Sequence, residues 1–292
     1  MWLRFRIRCC FSFAILAQLG AACAHAQSED DAAKLNQLRM RQMTQCAREL
    51  QIVETINGSE VLAELVETPV LRWNDAPRDH PDGSLWIWES RGRPVAILEI
   101  YPKPIGDPRI SHCGNSLSTV PTKISSARGV SRSATEPGVV FQDVPDAPTP
   151  ADTEMARIRQ IKEIANRFSA HQFWLPGHTR YELRLLTQPV HRYQAPEVGI
   201  LSGAVFVFCH STNPETAMMI ELAKEGAAVP KWRFALARIG HAEFHVLLDD
   251  KEVWTVPRAD REPASDAYWG FVLPAPPVSD TPIDQSDSQN PR

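Results

Sequence analysis

Gly83-Ser84-Leu85-Trp86-Ile87-Trp88 and, 120 positions later, Gly203-Ala204-Val205-Phe206-Val207-Phe208 share one pattern of glycine, aliphatic and aromatic side chains. Successive side chains of a strand point to opposite faces. Both hexapeptides therefore read as strands that are apolar on both faces and must be covered on both. The likeness spreads outward without a gap. Pro69-Val70-Leu71-Arg72-Trp73 lies over Pro189-Val190-His191-Arg192-Tyr193, Pro94 over Pro214, Leu98 over Met218 and Ile100 over Ile220. The 33 positions from Pro69 hold six identities, where chance gives roughly two.

Upstream, Leu35, Leu38 and Arg39 fall on Met155, Ile158 and Arg159, and Leu65-Val66 falls on Leu185-Leu186. Both copies leave through a Pro-rich segment, Val144 to Pro148 and Leu273 to Pro277. This pattern predicts two repeated units, over 30–148 and 152–277, packed as one pseudo-symmetric domain. Each is expected to be a helix followed by a mostly antiparallel sheet, an α+β fold. In the second unit Asp152 caps a helix marked by Met155, Ile158, Ile161, Ala165 and Phe168 at helical spacing. Strands are expected over 181–188, 203–210, 216–223, 231–238, 242–248 and 251–256, with Asp249-Asp250 as a hairpin turn. The first unit has a helix over 30–50 and strands over 61–73, 84–90 and 94–101, the last two joined at Arg91-Gly92-Arg93. The Ser- and Pro-rich stretch 121–151 reads as the linker between units, and 278–292 as a disordered tail.

The amino terminus gives an address. Arg4, Arg6 and Arg8 precede an apolar run from Cys9 to Leu19, and Ala24-His25-Ala26 is a small-x-small site. Residues 1–26 thus have the layout of a secretory signal peptide and are too short in their apolar part to span a bilayer. Export to the periplasm or beyond is expected. A lipoprotein anchored at Cys23 is the minor alternative, weakened because Gly20 stands where the usual leucine would.

Removing the signal leaves 28 basic against 35 acidic side chains, a net charge of −7. No basic cluster is present, so nucleic acid is not the expected partner. No later segment is apolar enough for a transmembrane helix. Three cysteines remain, Cys46, Cys113 and Cys209, which allow at most one disulfide, with Cys113–Cys209 a possible pair.

Trp86, Trp88, Phe206 and Phe208 either fill the core or line a cleft for an apolar or sugar-like ligand. Arg72 and Arg192, matched charges in otherwise apolar strand ends, suit a carboxylate or phosphate, or cap the sheet by pairing with an acid. His241, Glu243 and His245 would project from one face of a strand as acceptable zinc ligands, although side chains two apart on a flat strand diverge. Cys113 is a candidate nucleophile, with His171, His178 and His191 as possible bases. No G-x-S-x-G, S-x-x-K, H-E-x-x-H or phosphate loop occurs, so no cofactor is expected. The sequence favours a non-catalytic module binding a protein partner or an apolar small molecule. An envelope hydrolase or metal-dependent enzyme using His241, Glu243 and His245, or Cys113, is the alternative.

Pro69 to Trp73, Gly83 to Trp88, Arg91 to Pro94, Glu182 to Tyr193 and Trp232 to Arg238 together resemble a group of uncharacterised exported bacterial proteins. The resemblance covers most of 60–256. It implies an exported α+β protein and carries no activity.

Overall fold

The computed structural model describes residues 31–75, 78–104, 106–175, 177–224, 226–260, 263 and 265–277. The segments expected to be a signal peptide, with Cys23, and a disordered tail lie outside the described residues. Residues 43–277 form one compact unit; the described part of the other unit, 31–42, is helical.

In chain order the elements are α1 (31–48), β1 (Leu50–Ile56), β2 (Ser59–Leu62), β3 (Glu64–Leu65), β4 (Leu71–Asp75), β5 (His80–Ser90), β6 (Arg93–Pro102), β7 (Arg109–Ser116), β8 (Thr122–Ser126), β9 (Val130–Ala134) and β10 (Gln142–Asp143). There follow α2 (Glu154–Ala165), β11 (Phe168–Trp174), β12 (Thr179–Leu185), β13 (His191–Ala195), β14 (Ile200–His210), β15 (Asn213–Ala223), β16 (Lys231–Arg238), β17 (Glu243–Leu248), β18 (Lys251–Val256) and β19 (Tyr268–Pro274). Strand makes up 53% of the structure and helix 14%. The protein is therefore mostly β, built from antiparallel sheets, and the α+β expectation is overturned. Segments too polar to show a strand period cause the difference. The stretch 121–151, read as a linker, holds β8, β9 and β10; in β8 and β9 polar residues alternate with buried Thr122, Ile124, Val130 and Ala134.

The sheets repeat. Strands run β2-β1-β8-β9 in one sheet and β19-β7-β6-β5-β3 in another, with β4 also on β5. The second half joins the same two patterns into one sheet, β10-β16-β15-β14-β12-β11-β17-β18, with β13 on β14. The joining strand is β12, which pairs with β11 at one end and β14 at the other. Its counterpart in the first half is interrupted at Ala63 between β2 and β3. Irregularities repeat as well. Bulges fall between Trp73 and Asp75 and between Tyr193 and Ala195, then between Trp88 and Glu89 and between Phe208 and Cys209. Each pair is 120 residues apart, and conserving a bulge fixes where a strand bends.

The offset changes outside this central block. The inner faces of the helices match at 118, where Met43, Cys46 and Ala47 correspond to Ile161, Ile164 and Ala165, all at most 2% exposed. The gap-free match of Leu35 and Leu38 to Met155 and Ile158 is thus two residues out of register. Thr153, not Asp152, caps α2, its hydroxyl accepting from the Ala156 amide, and Phe168 begins a strand.

At the far end the two halves exchange their last strands. β19, from the second copy, pairs with β7 of the first, with Phe271 opposite His112. β10, from the first copy, pairs with β16 of the second, with Gln142 opposite Phe234. Positions 142 and 271 are 129 apart, the same offset that superposes the two Pro-rich exits. The exchange is reciprocal, so each sheet is completed by the other copy's end.

Both faces of the central strands are thereby covered. Phe206 and Phe208 pack with Ile161, Ile164 and Ala165 of α2. The opposite face, Val205 and Val207, shares a core with Leu85, Ile87 and Ile97 of the first copy. Hairpins join many strands through left-handed residues, Asn57-Gly58, Arg91-Gly92 and Asp249-Asp250, whose twist suits a two-residue connection. Gly92 is held against the other copy: a Cβ there would lie 2.8 Å from the Gln194 carbonyl. In the matching turn the Thr212 hydroxyl accepts from the Asn74 amide of the first copy at 3.0 Å.

Candidate functional site

Near-symmetry makes each half a control for the other, and the two halves differ most at Arg72 and Arg192. In the first copy Arg72 is held by Asp82 through two parallel bonds, Nε to Oδ1 at 2.8 Å and Nη2 to Oδ2 at 2.7 Å. The position matching Asp82 is Ser202. Its hydroxyl accepts from Arg157 Nε of α2 at 2.8 Å, and Arg157 also donates to the Ala151 and Asp152 carbonyls. Arg192 is left exposed, with no hydrogen bond or ion pair to any described residue.

Arg192 opens onto a cavity of about 450 Å³ between α2 and the β13–β14 hairpin. Ile158, Ile161, Pro189 and Ala204 line its apolar part; Glu154, Lys162, Arg192, Gln194 and Ser202 supply the polar groups. The Gly203 backbone lies in the floor of the cavity, and on the opposite face of the sheet the Tyr193 ring occupies the space of its missing side chain, 2.4 Å from where a Cβ would lie; Gly83 stands in the same relation to Trp73. The ring is fixed from its other end, where the Tyr193 hydroxyl donates to buried Glu221 at 2.8 Å. Lys162 donates to Gln188 at 2.6 Å. Two cations face one carboxylate, so the lining favours an anion.

The aromatic residues expected to line a cleft do not. Trp86, Trp88, Phe206 and Phe208 are 0–1% exposed. Trp86 Nε1 donates to Ser84 Oγ at 2.8 Å, which satisfies the indole within the core. They lie on the helix-covered faces of β5 and β14 and form core.

His241, Glu243 and His245 do not share a site. His241 precedes β17 and turns away from the other two. His245 lies between carboxylates, Nε2 to Glu243 at 3.0 Å and Nδ1 to Glu252 at 2.6 Å, and stacks on His171 at 4.8 Å. Its pKa is moved by burial, which lowers it, and by the two glutamates, which outweigh that and raise it. Among the described residues no three His, Cys, Asp or Glu side chains are placed to hold a metal ion.

All three cysteines are free and buried, so the Cys113–Cys209 pair does not form. Burial pushes the Cys46 thiol up to about 11 and the Cys209 thiol up to about 12. Cys113 meets none of His171, His178 and His191; its neighbour is His241, at 3.6 Å from Sγ to Nε2. Sequence reasoning missed Ser202, and it grouped His241 with Glu243 and His245 rather than with Cys113. The first was visible in the repeat alignment as Asp82 against serine; the second requires the strand exchange. Among the described residues no helix is long and apolar enough to cross a membrane.

Among protein-family models, curated proteins and solved structures, none matches the chain, so its chemistry is argued from its own geometry.

Proposed function

We propose that the protein is an exported binding module whose cavity beside α2 takes a small amphiphile: an apolar body with one carboxylate, sulfonate or phosphate. The observation that carries this is the unpaired Arg192 at a roomy cavity, where the equivalent Arg72 is closed off by Asp82. A guanidinium presents a planar fork of donors that matches such an anion bidentately. The apolar lining takes the ligand's body, as small-molecule sites generally do.

Anilinonaphthalene sulfonate, an apolar fluorophore bearing one anion, tests the reading. Saturable binding is expected, weakened about tenfold or more by Arg192→Met and unchanged by Arg72→Met. Equal binding by wild type and Arg192→Met would overturn it.

A further inference from the structure

A second departure from symmetry lies at the exchanged strand. Cys113 is on β7 of the first copy, while His241 and Tyr268 come from the second copy, Tyr268 on exchanged β19. His241 Nε2 is 3.6 Å from Cys113 Sγ, and its Nδ1 is 2.9 Å from the Tyr268 hydroxyl. The opposite half has no such set. By the strand registers Cys113 corresponds to Ala235, and by the 129 offset Tyr268 corresponds to Val139; both belong to the apolar core between copies. The fold therefore does not require these polar groups.

Cys113 and His241 open on a cavity of about 410 Å³, lined also by Lys103, Tyr101, Ser111 and an Arg258–Asp260 ion pair at 2.8 Å. Gly270, cross-strand from Cys113, presents no side chain between the thiol and this space. Two hydroxyls stand ready as donors. Tyr101 reaches Sγ at 4.0 Å, and Ser111, two residues along the same strand face, is 2% exposed without a well-aligned hydrogen-bond partner.

We propose that Cys113, His241 and Tyr268 act as nucleophile, base and positioning residue of a site that cleaves small anionic esters or thioesters. A nucleophile within hydrogen-bond reach of a base that a third group orients is the arrangement covalent catalysis needs. The Tyr268 hydroxyl accepts from Nδ1–H, which leaves Nε2 bare toward the thiol. Burial raises the Cys113 thiol, so it stays protonated until attack and behaves as a hydroxyl does beside an imidazole. Sγ then bonds to the acyl carbon while its proton passes to Nε2. The bond to the alcohol or thiol leaving group breaks, and that group takes the proton. Water adds to the enzyme thioester, giving one proton to Nε2, and the carboxylic acid departs as the thiol regains it. Tyr101 and Ser111 donate to the oxyanion, and Lys103, the cation left over once Arg258 is paired with Asp260, selects a negatively charged acyl group.

The test uses the whole mature chain and the 4-nitrophenyl monoester of succinic acid, with the neutral butyrate ester beside it. Expected are release of nitrophenolate, a succinyl adduct on Cys113 by mass spectrometry, and a preference for the anionic ester. Cys113→Ala should abolish the adduct, and His241→Gln should slow its formation roughly 10²–10⁴-fold. Tyr268→Phe should shift the pH profile of acylation. In wild type, absence of an adduct on Cys113, or one that forms only after denaturation, overturns the proposal without needing any variant. An adduct that forms as fast in His241→Gln overturns the role of the base.

Discussion

Replacing Ser202 by Asp should close the α2 cavity to anions by rebuilding in the second copy the pair that already exists in the first. The new carboxylate would lie as Asp82 does, within two hydrogen bonds of the neighbouring arginine, here Arg192, and would also accept from Arg157 in place of the serine hydroxyl. The stability gain should be small. Arg72 in the reference pair is 45% exposed, and a solvent-screened pair contributes at most about 1 kcal/mol. The effect on binding should be larger, because the ligand loses a charge-assisted hydrogen bond of about 1.5–3 kcal/mol, roughly a 10- to 150-fold weaker dissociation constant. Fluorescence titration with anilinonaphthalene sulfonate reads this directly, and urea unfolding confirms that the fold is intact. The reciprocal Asp82→Ser removes the carboxylate from Arg72 and should leave the second-copy cavity untouched. A folded Ser202→Asp protein that binds the probe as tightly as wild type would refute the reasoning.

Three further outcomes follow from the interior. His112 is fully buried, stacks on Phe271 at 4.7 Å and is pushed by burial from 6.5 to about 4. A lowered histidine contributes stability that is present above 6.5 and lost as pH falls toward 4, about 3 kcal/mol across that window. His112→Phe, which copies the symmetry-related Phe234, should remove that loss in urea titrations at pH 7, 5 and 4; an unchanged pH dependence would count against it. Gly203→Ala should cost about 1–3 kcal/mol by overpacking against Tyr193, measured as a lowered urea midpoint. The native protein should show almost no thiol reactivity toward a charged disulfide reagent, three thiols after denaturation, and no change in melting temperature with reductant; fewer thiols would mean a disulfide has formed.

How much was legible depended on how apolar each strand was. The central block, β5, β6, β14 and β15, was readable because aliphatic and aromatic residues alternate there without interruption. β16 and β18 were read to the residue, and the Arg91-Gly92 and Asp249-Asp250 turns lie where expected. β1 was missed although Asn57-Gly58, a strong hairpin signal, follows it, because the helical pattern was carried to residue 50. β7 was missed because the polar residues Ser111, His112, Asn115 and Ser116 are buried in a strand that the other copy's β19 covers, and β8 to β10 because they are short and largely polar. Strand exchange brings together Cys113 and His241, 128 residues apart, and no local period reports that. For the site, Arg192 was legible as half of a matched pair. Its release was legible only by asking what faces each arginine in its own copy.

The reciprocal exchange of β10 and β19 is what unites the duplication, the covered core and the Cys113–His241–Tyr268 set. Interstrand amide and α-proton NOEs in isotopically labelled protein test it most directly. The account predicts contacts from Trp269 to Gly114 and from Phe271 to His112. Contacts from Tyr268–Pro274 to Lys231–Arg238, the strand of its own copy, would contradict it.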